Sequence, residues 1–259
     1  MYSIGIDSGS RMTKYCLLNI ETLTLTDYII ETTNADYEAQ VDSLIKKNLL
    51  KNKINNSQIK AIITTGYGRK NYSKANKYSS EIICHGKGIN FYNQNVRTII
   101  DIGGQDSKVI KIENGKVIDF VMNDKCAAGT GRFLEKVAEI FNLKVNDLGD
   151  LSLQSKQDTL ISSTCVVFAE SEIIGLISQG VKKEDIIAAV HKSVIHRILS
   201  MANSLKLELP IAFVGGVANN KGVIDAMNKY ISSTLANGFK VFVPEIPDIT
   251  GALGASLSF

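Results

Sequence analysis

Ile99-Ile100-Asp101-Ile102-Gly103-Gly104-Gln105-Asp106-Ser107-Lys108 decides the fold. Apolar residues lead into an aspartate, two glycines open a turn, and a second apolar run follows over 108–112. That is the pattern of a buried strand, a tight turn and a second strand. Near the N-terminus Ile6-Asp7-Ser8-Gly9-Ser10-Arg11-Met12-Thr13-Lys14 repeats it. In both copies a glycine follows the aspartate by two positions and a lysine follows it by seven. One match this short is within the reach of chance. Two copies, each opening a half of suitable size, indicate an internally duplicated α/β fold. The halves expected are residues 1–95 and residues 96–259, each an α/β subdomain with one such hairpin.

Outward from these turns, strand patterns are read at 3–6, 13–20, 22–30 and 59–64, and helices at 37–50 and 80–92. Gly66-Tyr67-Gly68-Arg69 breaks the strand at 59–64. In the second half, Asn114-Gly115 joins strands at 108–112 and 116–121 as a hairpin. After the Cys126 segment a helix is expected to about Asn142, then a polar connection over 146–158, a helical pattern from Val166 and a long amphipathic helix over 183–207. Strands at 211–214 and 240–243 enclose a helix running from Val217 to Tyr230. Thr250-Gly251-Ala252-Leu253-Gly254-Ala255 opens a small-residue helix able to pack very close to a neighbour.

The 259 residues carry a net charge of only +3, with 44% hydrophobic and 21% charged side chains. This is ordinary globular composition. It gives no argument for a nucleic-acid or anionic-membrane partner. No run approaches the roughly 20 apolar residues of a membrane span. The N-terminus enters a strand directly rather than a signal peptide, so a cytoplasmic protein is expected.

Four cysteines, Cys16, Cys84, Cys126 and Cys165, stand singly, without CxxC spacing. A zinc knuckle or a single-chain ferredoxin motif is therefore not indicated. Cys16 and Cys84 sit in apolar runs and read as buried small hydrophobes. Cys126 and Cys165 differ. Asn123-Asp124-Lys125-Cys126-Ala127-Ala128-Gly129-Thr130-Gly131-Arg132-Phe133 places a thiol before an amphipathic helix, where the helix dipole favours a thiolate. Ser163-Thr164-Cys165 repeats the arrangement, with Ser and Thr available as caps. His191 and His196 are five apart on one helix and read as ordinary helix residues, not a zinc pair.

The phosphate fingerprints GxxxxGK[ST] and GxGxxG are both absent. Taken singly, each Asp-x-Gly turn is ordinary turn chemistry. Taken together with Gly215-Gly216, two such turns could grip the β- and γ-phosphates of a nucleotide. Asp7 and Asp101 would then lie on Mg²⁺ or its waters.

Asp7-x-Gly9, Asp101-Ile102-Gly103-Gly104-Gln105-Asp106 and Gly215-Gly216-Val217 resemble the phosphate and adenosine motifs of the acetate and sugar kinase/Hsc70/actin superfamily. The Cys126 segment and Ser163-Thr164-Cys165-x-x-Phe168-Ala169-Glu170-Ser171-Glu172 are similar to the ATPase activators of 2-hydroxyacyl-CoA dehydratases. That is the BadF/BadG/BcrA/BcrD-type family, shared with benzoyl-CoA reductase ATPase subunits. The resemblance covers nearly the whole chain, from Asp7 to about Gly254.

The resemblance implies a duplicated actin-like, ribonuclease H-like ATPase fold around a nucleotide cleft. Residues placed on ATP or ADP are Asp7, Ser8, Gly9, Ser10, Arg11 and Lys14 in the first turn, and Gly103, Gly104, Gln105 and Asp106 in the second. Gly129, Thr130 and Gly131 come next, as flexible backbone leading to the cluster helix, with Gly215, Gly216, Val217 and Asn219 at the adenosine motif. Asp101, as base or magnesium-shell ligand, and Gln105, as water-positioner, are the catalytic candidates, and Asp7 and Asp101 form the Mg²⁺ shell. Relatives lead one to expect a threonine near position 11, where this chain has Arg11.

The same resemblance implies a homodimer sharing one [4Fe-4S] cluster, to which each protomer gives Cys126 and Cys165. It further implies one-electron, ATP-driven transfer to a partner 2-hydroxyacyl-CoA dehydratase or related reductase, with ferredoxin or flavodoxin as electron source. Two readings compete: a small-molecule kinase of the same superfold with structural cysteines, and a non-redox nucleotide switch of the actin or chaperone kind. The absence of a separate substrate-binding insertion weighs against the kinase.

Overall fold

The computed structural model describes residues 1–162 and 165–259. Ser163 and Thr164, read from the sequence as caps before Cys165, lie outside the described residues. Two compact units are present. The first comprises Met1–Ile99, Ile112–Ile118 and Pro244–Phe259, and the second Ile100–Lys111 and Asp119–Val243. Where the sequence reading divides the chain at 95/96, this grouping also puts residues 96–99, 112–118 and 244–259 in the first unit.

In the first unit, strands β1 (Tyr2–Ser8), β2 (Met12–Asn19) and β3 (Thr24–Thr32) form an antiparallel meander. Helix α1 (Tyr37–Asn52) crosses to β4 (Ile59–Gly66), which pairs parallel to β1. A two-residue strand, β5 (Lys77–Tyr78), completes the order β3-β2-β1-β4-β5, and helix α2 (Glu81–Tyr92) follows. Ile4, Ile6, Tyr15 and Leu17 on one face of the sheet pack with Val41 and Leu44 of α1. These residues alternate along β1 and β2, as a half-buried sheet requires.

The second half of the chain repeats the scheme. β6 (Thr98–Ile102), β7 (Ser107–Glu113), β8 (Lys116–Asn123) and β9 (Ile211–Val214) form a sheet in the order β8-β7-β6-β9. Matched strand for strand, that is β3-β2-β1-β4 again. The duplication read from two aspartate turns therefore extends to the whole sheet. Helices α3 (Gly131–Ile140), α4 (Asp147–Ser152), α5 (Val166–Ser178), α6 (Lys183–Ala202) and α7 (Lys221–Thr234) surround its core. Ile100, Ile102 and Phe213 of the strands meet Phe133, Val137, Ile173, Ile187 and Val194 of the helices there.

The last helix, α8 (Thr250–Ser256), explains why the C-terminus joins the first unit. A Cβ on Gly254 would fall 1.7 Å from the Cys84 carbonyl oxygen, and one on Gly88 would fall 2.1 Å from that of Thr250. The glycines let α8 and α2 touch backbone to backbone, the close packing expected of that helix. Cys84 and Cys16 are fully buried, and burial raises both thiols above their ordinary range. They are core residues, as expected.

Several boundaries differ from the sequence reading. The polar connection over 146–158 contains α4, a short helix anchored by the fully buried Leu148. Its two or three apolar positions are too few for a helical period to show. The chain just beyond α4 is pinned by Asp185, whose Oδ1 accepts from Ser155 Oγ and from the amides of Lys156 and Gln157. The long helix stops at Ala202 rather than Leu207, and Lys206 has φ 51. Residues 240–243 make one parallel bridge, Ala212 to Phe242, instead of a strand. The helix expected from Val217 begins at Lys221, after a 3₁₀ turn over Gly216–Asn219.

Candidate functional site

Each Asp-x-Gly turn is built the same way. In the first, Asp7 faces Lys14 across the β1–β2 ladder, and Lys14 Nζ donates to Asp7 Oδ2 at 3.0 Å. The Gly9 amide donates to the Met12 carbonyl at 3.2 Å and closes the turn. In the second, Lys108 Nζ donates to Asp101 Oδ2 at 3.2 Å, and the Gly103 amide donates to the Asp106 carbonyl at 2.9 Å. Lysine at the seventh position is thus the partner of the aspartate in both halves.

The charges differ. Asp7 and Lys14 balance one another. Lys108, almost fully buried, also lies 2.9 Å from Asp106 Oδ2, so two buried carboxylates share one ammonium and the second turn is net negative. Gln105 stands exposed at its tip, while Ser10 and Arg11 are exposed at the tip of the first. Ser8 is buried beside Tyr37. Burial pushes the Tyr37 hydroxyl up to about 12, and the Asp7 charge adds to the rise.

A second glycine completes each turn. Gly215, with φ 85, directly follows β9, and a Cβ there would lie 2.4 Å from Asp101 Oδ1. Gly66, with φ 82, ends β4, and a Cβ there would lie 2.5 Å from Asp7 Oδ1. Both the backbone conformation and the carboxylate above it require glycine. Sequence reasoning singled out Gly215 but treated Gly66 only as a strand breaker. The signal that could have found it is its place after the strand parallel to β1, equivalent to the place of Gly215 after β9.

The three motifs of the second half meet. Cys126 precedes a one-turn 3₁₀ helix, Ala127–Gly129, and α3 starts beyond it at Gly131, so the cysteine stands just before the helix, as expected. The cap of α3 is Thr130, whose hydroxyl accepts from the Arg132 amide at 3.3 Å. Asn123 holds Cys126 on both sides: its Oδ1 accepts from the Cys126 amide at 3.0 Å, and its Nδ2 donates to the Cys126 carbonyl at 2.7 Å. The amides of Gly131 and Arg132, at the start of α3, donate to the carbonyls of Gly103 and Gly104, each at 2.9 Å. A Cβ on Gly131 would touch Gly103, Gly104 and Val217 alike. Gly129-Thr130-Gly131, with Gly129 and Thr130 buried, is therefore a hydrogen-bonded joint to the Asp101 turn rather than a flexible link. Gly216 and Val217 form the 3₁₀ turn after Gly215, and Asn219 Nδ2 donates to the Gly216 carbonyl at 3.2 Å.

Cys165 stands at the N-cap of α5, and its carbonyl accepts from the Ala169 amide at 2.9 Å. Unlike Cys16 and Cys84, Cys165 is exposed and Cys126 half-buried. Val167 and Phe168, close behind Cys165 on α5, are 68% and 69% exposed. Lys136 of α3 pairs with Glu170 of α5 at 3.2 Å, so the helices following the two cysteines are tied together. His191 on α6 is buried and lies against Gly222, and His196 stacks edge-on with Tyr230. Both are structural, as expected.

The donor chemistry fits the groups expected from the sequence. Asp7 and Asp101 offer the oxygen ligands that Mg²⁺ takes. Cys126 and Cys165 are the two cysteines with access to solvent, and thiolates hold iron–sulfur clusters.

The model of the BadF/BadG/BcrA/BcrD ATPase family matches residues 4–258. The chain is 44% identical to the 2-hydroxyisocaproyl-CoA dehydratase activator of Clostridioides difficile, over 99% of this chain and 94% of the relative. A structure of the activator of the 2-hydroxyisocaproyl-CoA dehydratase from Clostridium difficile with bound ADPNP superimposes with a TM-score of 0.89 at 42% identity. It aligns over 99% of this chain and 93% of the other. The (R)-2-hydroxyglutaryl-CoA dehydratase component A of Acidaminococcus fermentans gives a TM-score of 0.92 at 40% identity, over 99% and 96%.

Proposed function

This chain belongs to the BadF/BadG/BcrA/BcrD ATPase family, and from that premise we propose that it activates a partner 2-hydroxyacyl-CoA dehydratase by ATP-driven injection of one electron. The fold is the duplicated actin-like α/β ATPase fold of that family. The relatives named for dehydratase activation, aligned over nearly their full length, support the partner class.

In this reading Asp7, Ser8, Gly9, Gly103, Gly104 and Gly215 serve the nucleotide. Asp101 and Asp106, sharing Lys108, keep the second turn net negative, which suits Mg²⁺. Gln105 at the exposed tip would orient the attacking water. Cys126 and Cys165 would hold a [4Fe-4S] cluster, which when bound supplies the low-potential electron. Two cysteines per chain satisfy a cluster's need for four only in a homodimer. The exposed Val167 and Phe168 beside Cys165 are apolar area suited to a second copy. Ferredoxin or flavodoxin would reload the electron.

One observation carries the proposal: the first two amides of α3 are hydrogen-bonded to the Gly103-Gly104 turn. A shift of that turn with nucleotide state has a direct backbone path to the segment that presents Cys126. The test is anaerobic purification with iron, sulfide and mass determination, alongside Cys126→Ser and Cys165→Ser. The expected result is about four irons per dimer, lost in either variant. An iron-free monomer with full ATPase activity would overturn the proposal.

A further inference from the structure

The segment after β4 repeats the segment after β9 bond for bond. After β9, the Ala218 amide donates to the Gly215 carbonyl at 3.0 Å and the Asn220 amide to the Val217 carbonyl at 3.0 Å. After β4, the Arg69 amide donates to the Gly66 carbonyl at 3.4 Å and the Asn71 amide to the Gly68 carbonyl at 2.8 Å. Gly66-Tyr67-Gly68-Arg69-Lys70-Asn71 therefore takes the same path as Gly215-Gly216-Val217-Ala218-Asn219-Asn220. Both begin on a positive-φ glycine lying under an aspartate carboxylate.

The first-half loop also closes onto its own Asp-x-Gly turn. The Gly68 amide donates to the Ser8 carbonyl at 3.1 Å, and a Cβ on Gly68 would lie 2.0 Å from Ser8 Oγ. Where the second half has Ala218, the first has Arg69. Its Nη1 donates to the carbonyl of Gly66, the residue beneath Asp7, at 3.0 Å, and Thr64 Oγ1 fixes its carbonyl at 2.6 Å. The half-buried guanidinium pairs with no carboxylate among the described residues. Asp7 and Lys14 already neutralise one another, so Arg69 leaves this turn net positive. The Asp101–Lys108–Asp106 group leaves its counterpart net negative. A half-buried guanidinium without a counter-ion beside a turn of this kind is an anion site, and its planar fork suits phosphate oxygens.

We infer that Arg69 is a further phosphate-contacting residue of this ATPase, its guanidinium meeting the terminal phosphates of the nucleotide held at the Asp7 turn. The inference rests on the ATP-driven reading above. The loop Gly66–Arg69 acts as the first half's own ligand loop, carrying charge where its duplicate carries small apolar residues.

The test compares equilibrium binding of ADPNP and of adenosine to the anaerobically purified protein, as wild type, Arg69→Gln and Arg69→Lys. The inference expects Arg69→Gln to weaken ADPNP about tenfold or more, the scale of one charge-assisted contact. Adenosine affinity should stay within about twofold, and Arg69→Lys should recover part of the loss. A purely structural role would weaken both ligands together, and that outcome, or no change in the ADPNP-to-adenosine ratio, overturns the inference while leaving the ATPase reading intact. Wild-type protein that binds no ADPNP overturns both. If Arg69→Gln does not fold, the ratio measured in Arg69→Lys decides: an unchanged ratio with Tm preserved overturns it.

Discussion

The amide of Gly131, first residue of α3, donates to the carbonyl of Gly103 in the Asp101 turn at 2.9 Å. This bond joins the phosphate-type turn to the Cys126 segment. Proline is tolerated at the first position of a helix, because its missing N–H has no partner within the helix. Gly131→Pro therefore keeps α3 while removing this donor and pressing the ring on Gly103. Loss of one hydrogen bond, about 1 kcal/mol, plus that crowding should lower the ATPase rate roughly tenfold, with the helical circular dichroism signal retained. Unchanged turnover would show that the joint does not transmit.

Gly66→Ala and Gly215→Ala should each destabilise their unit. Positive φ alone costs a non-glycine residue roughly 1–2 kcal/mol, and each new methyl would meet a buried carboxylate oxygen, at 2.5 Å for Gly66 and 2.4 Å for Gly215. Urea denaturation should show a combined loss of about 2–4 kcal/mol for either variant. A loss at Gly215 but none at Gly66 would break the equivalence of the two turns.

Lys108 and Lys14 should differ in what their removal costs. The Lys108–Asp101 pair is 3% and 5% exposed, and Lys14–Asp7 is 18% and 9% exposed. Taking away one partner of a buried pair leaves an uncompensated charge, at about 3–5 kcal/mol. Lys108→Met should therefore unfold at clearly lower denaturant than Lys14→Met, since its loss also strips Asp106 of this ammonium. Equal midpoints would contradict this.

His191 sets an acid limit. Burial lowers it from 6.5 to about 4. Between those values the unfolded chain takes up a proton that the folded protein refuses, so stability falls as pH drops from about 6.5 to about 4 and is unaffected above. The full loss is roughly 3 kcal/mol. His191→Gln should flatten that part of the urea-midpoint profile against pH, while carboxylate titration remains common to both proteins. A parallel profile in the variant would remove His191 from the account.

Much of this protein is written in local sequence. Asp7 with Lys14 and Asp101 with Lys108 were legible because a strand, a two-residue-spaced glycine and a returning strand are contiguous features. The buried character of Cys16 and Cys84 was legible because apolar runs surround them. Cys126 and Cys165 stood out because each stands just before a helical pattern, behind polar residues. Helix α4 stayed hidden because one fully buried leucine makes no period. The 3₁₀ turn between Cys126 and α3 stayed hidden because the cap, Thr130, stands one turn beyond the cysteine.

What only the tertiary structure decided are relations between distant segments. Gly66 looks like any strand breaker until β4 lies parallel to β1 and places it under Asp7. The C-terminal helix belongs with the first unit because Gly88 and Gly254 permit a backbone contact that no linear pattern announces. Gly129-Thr130-Gly131 reads as flexible because glycine is flexible in isolation, yet the amides of Gly131 and Arg132 find carbonyls at Gly103 and Gly104. Sequence determined which residues could turn, pair or bind. The meeting of those residues rests on long-range hydrogen bonds and close packing, whose partners lie far away along the chain.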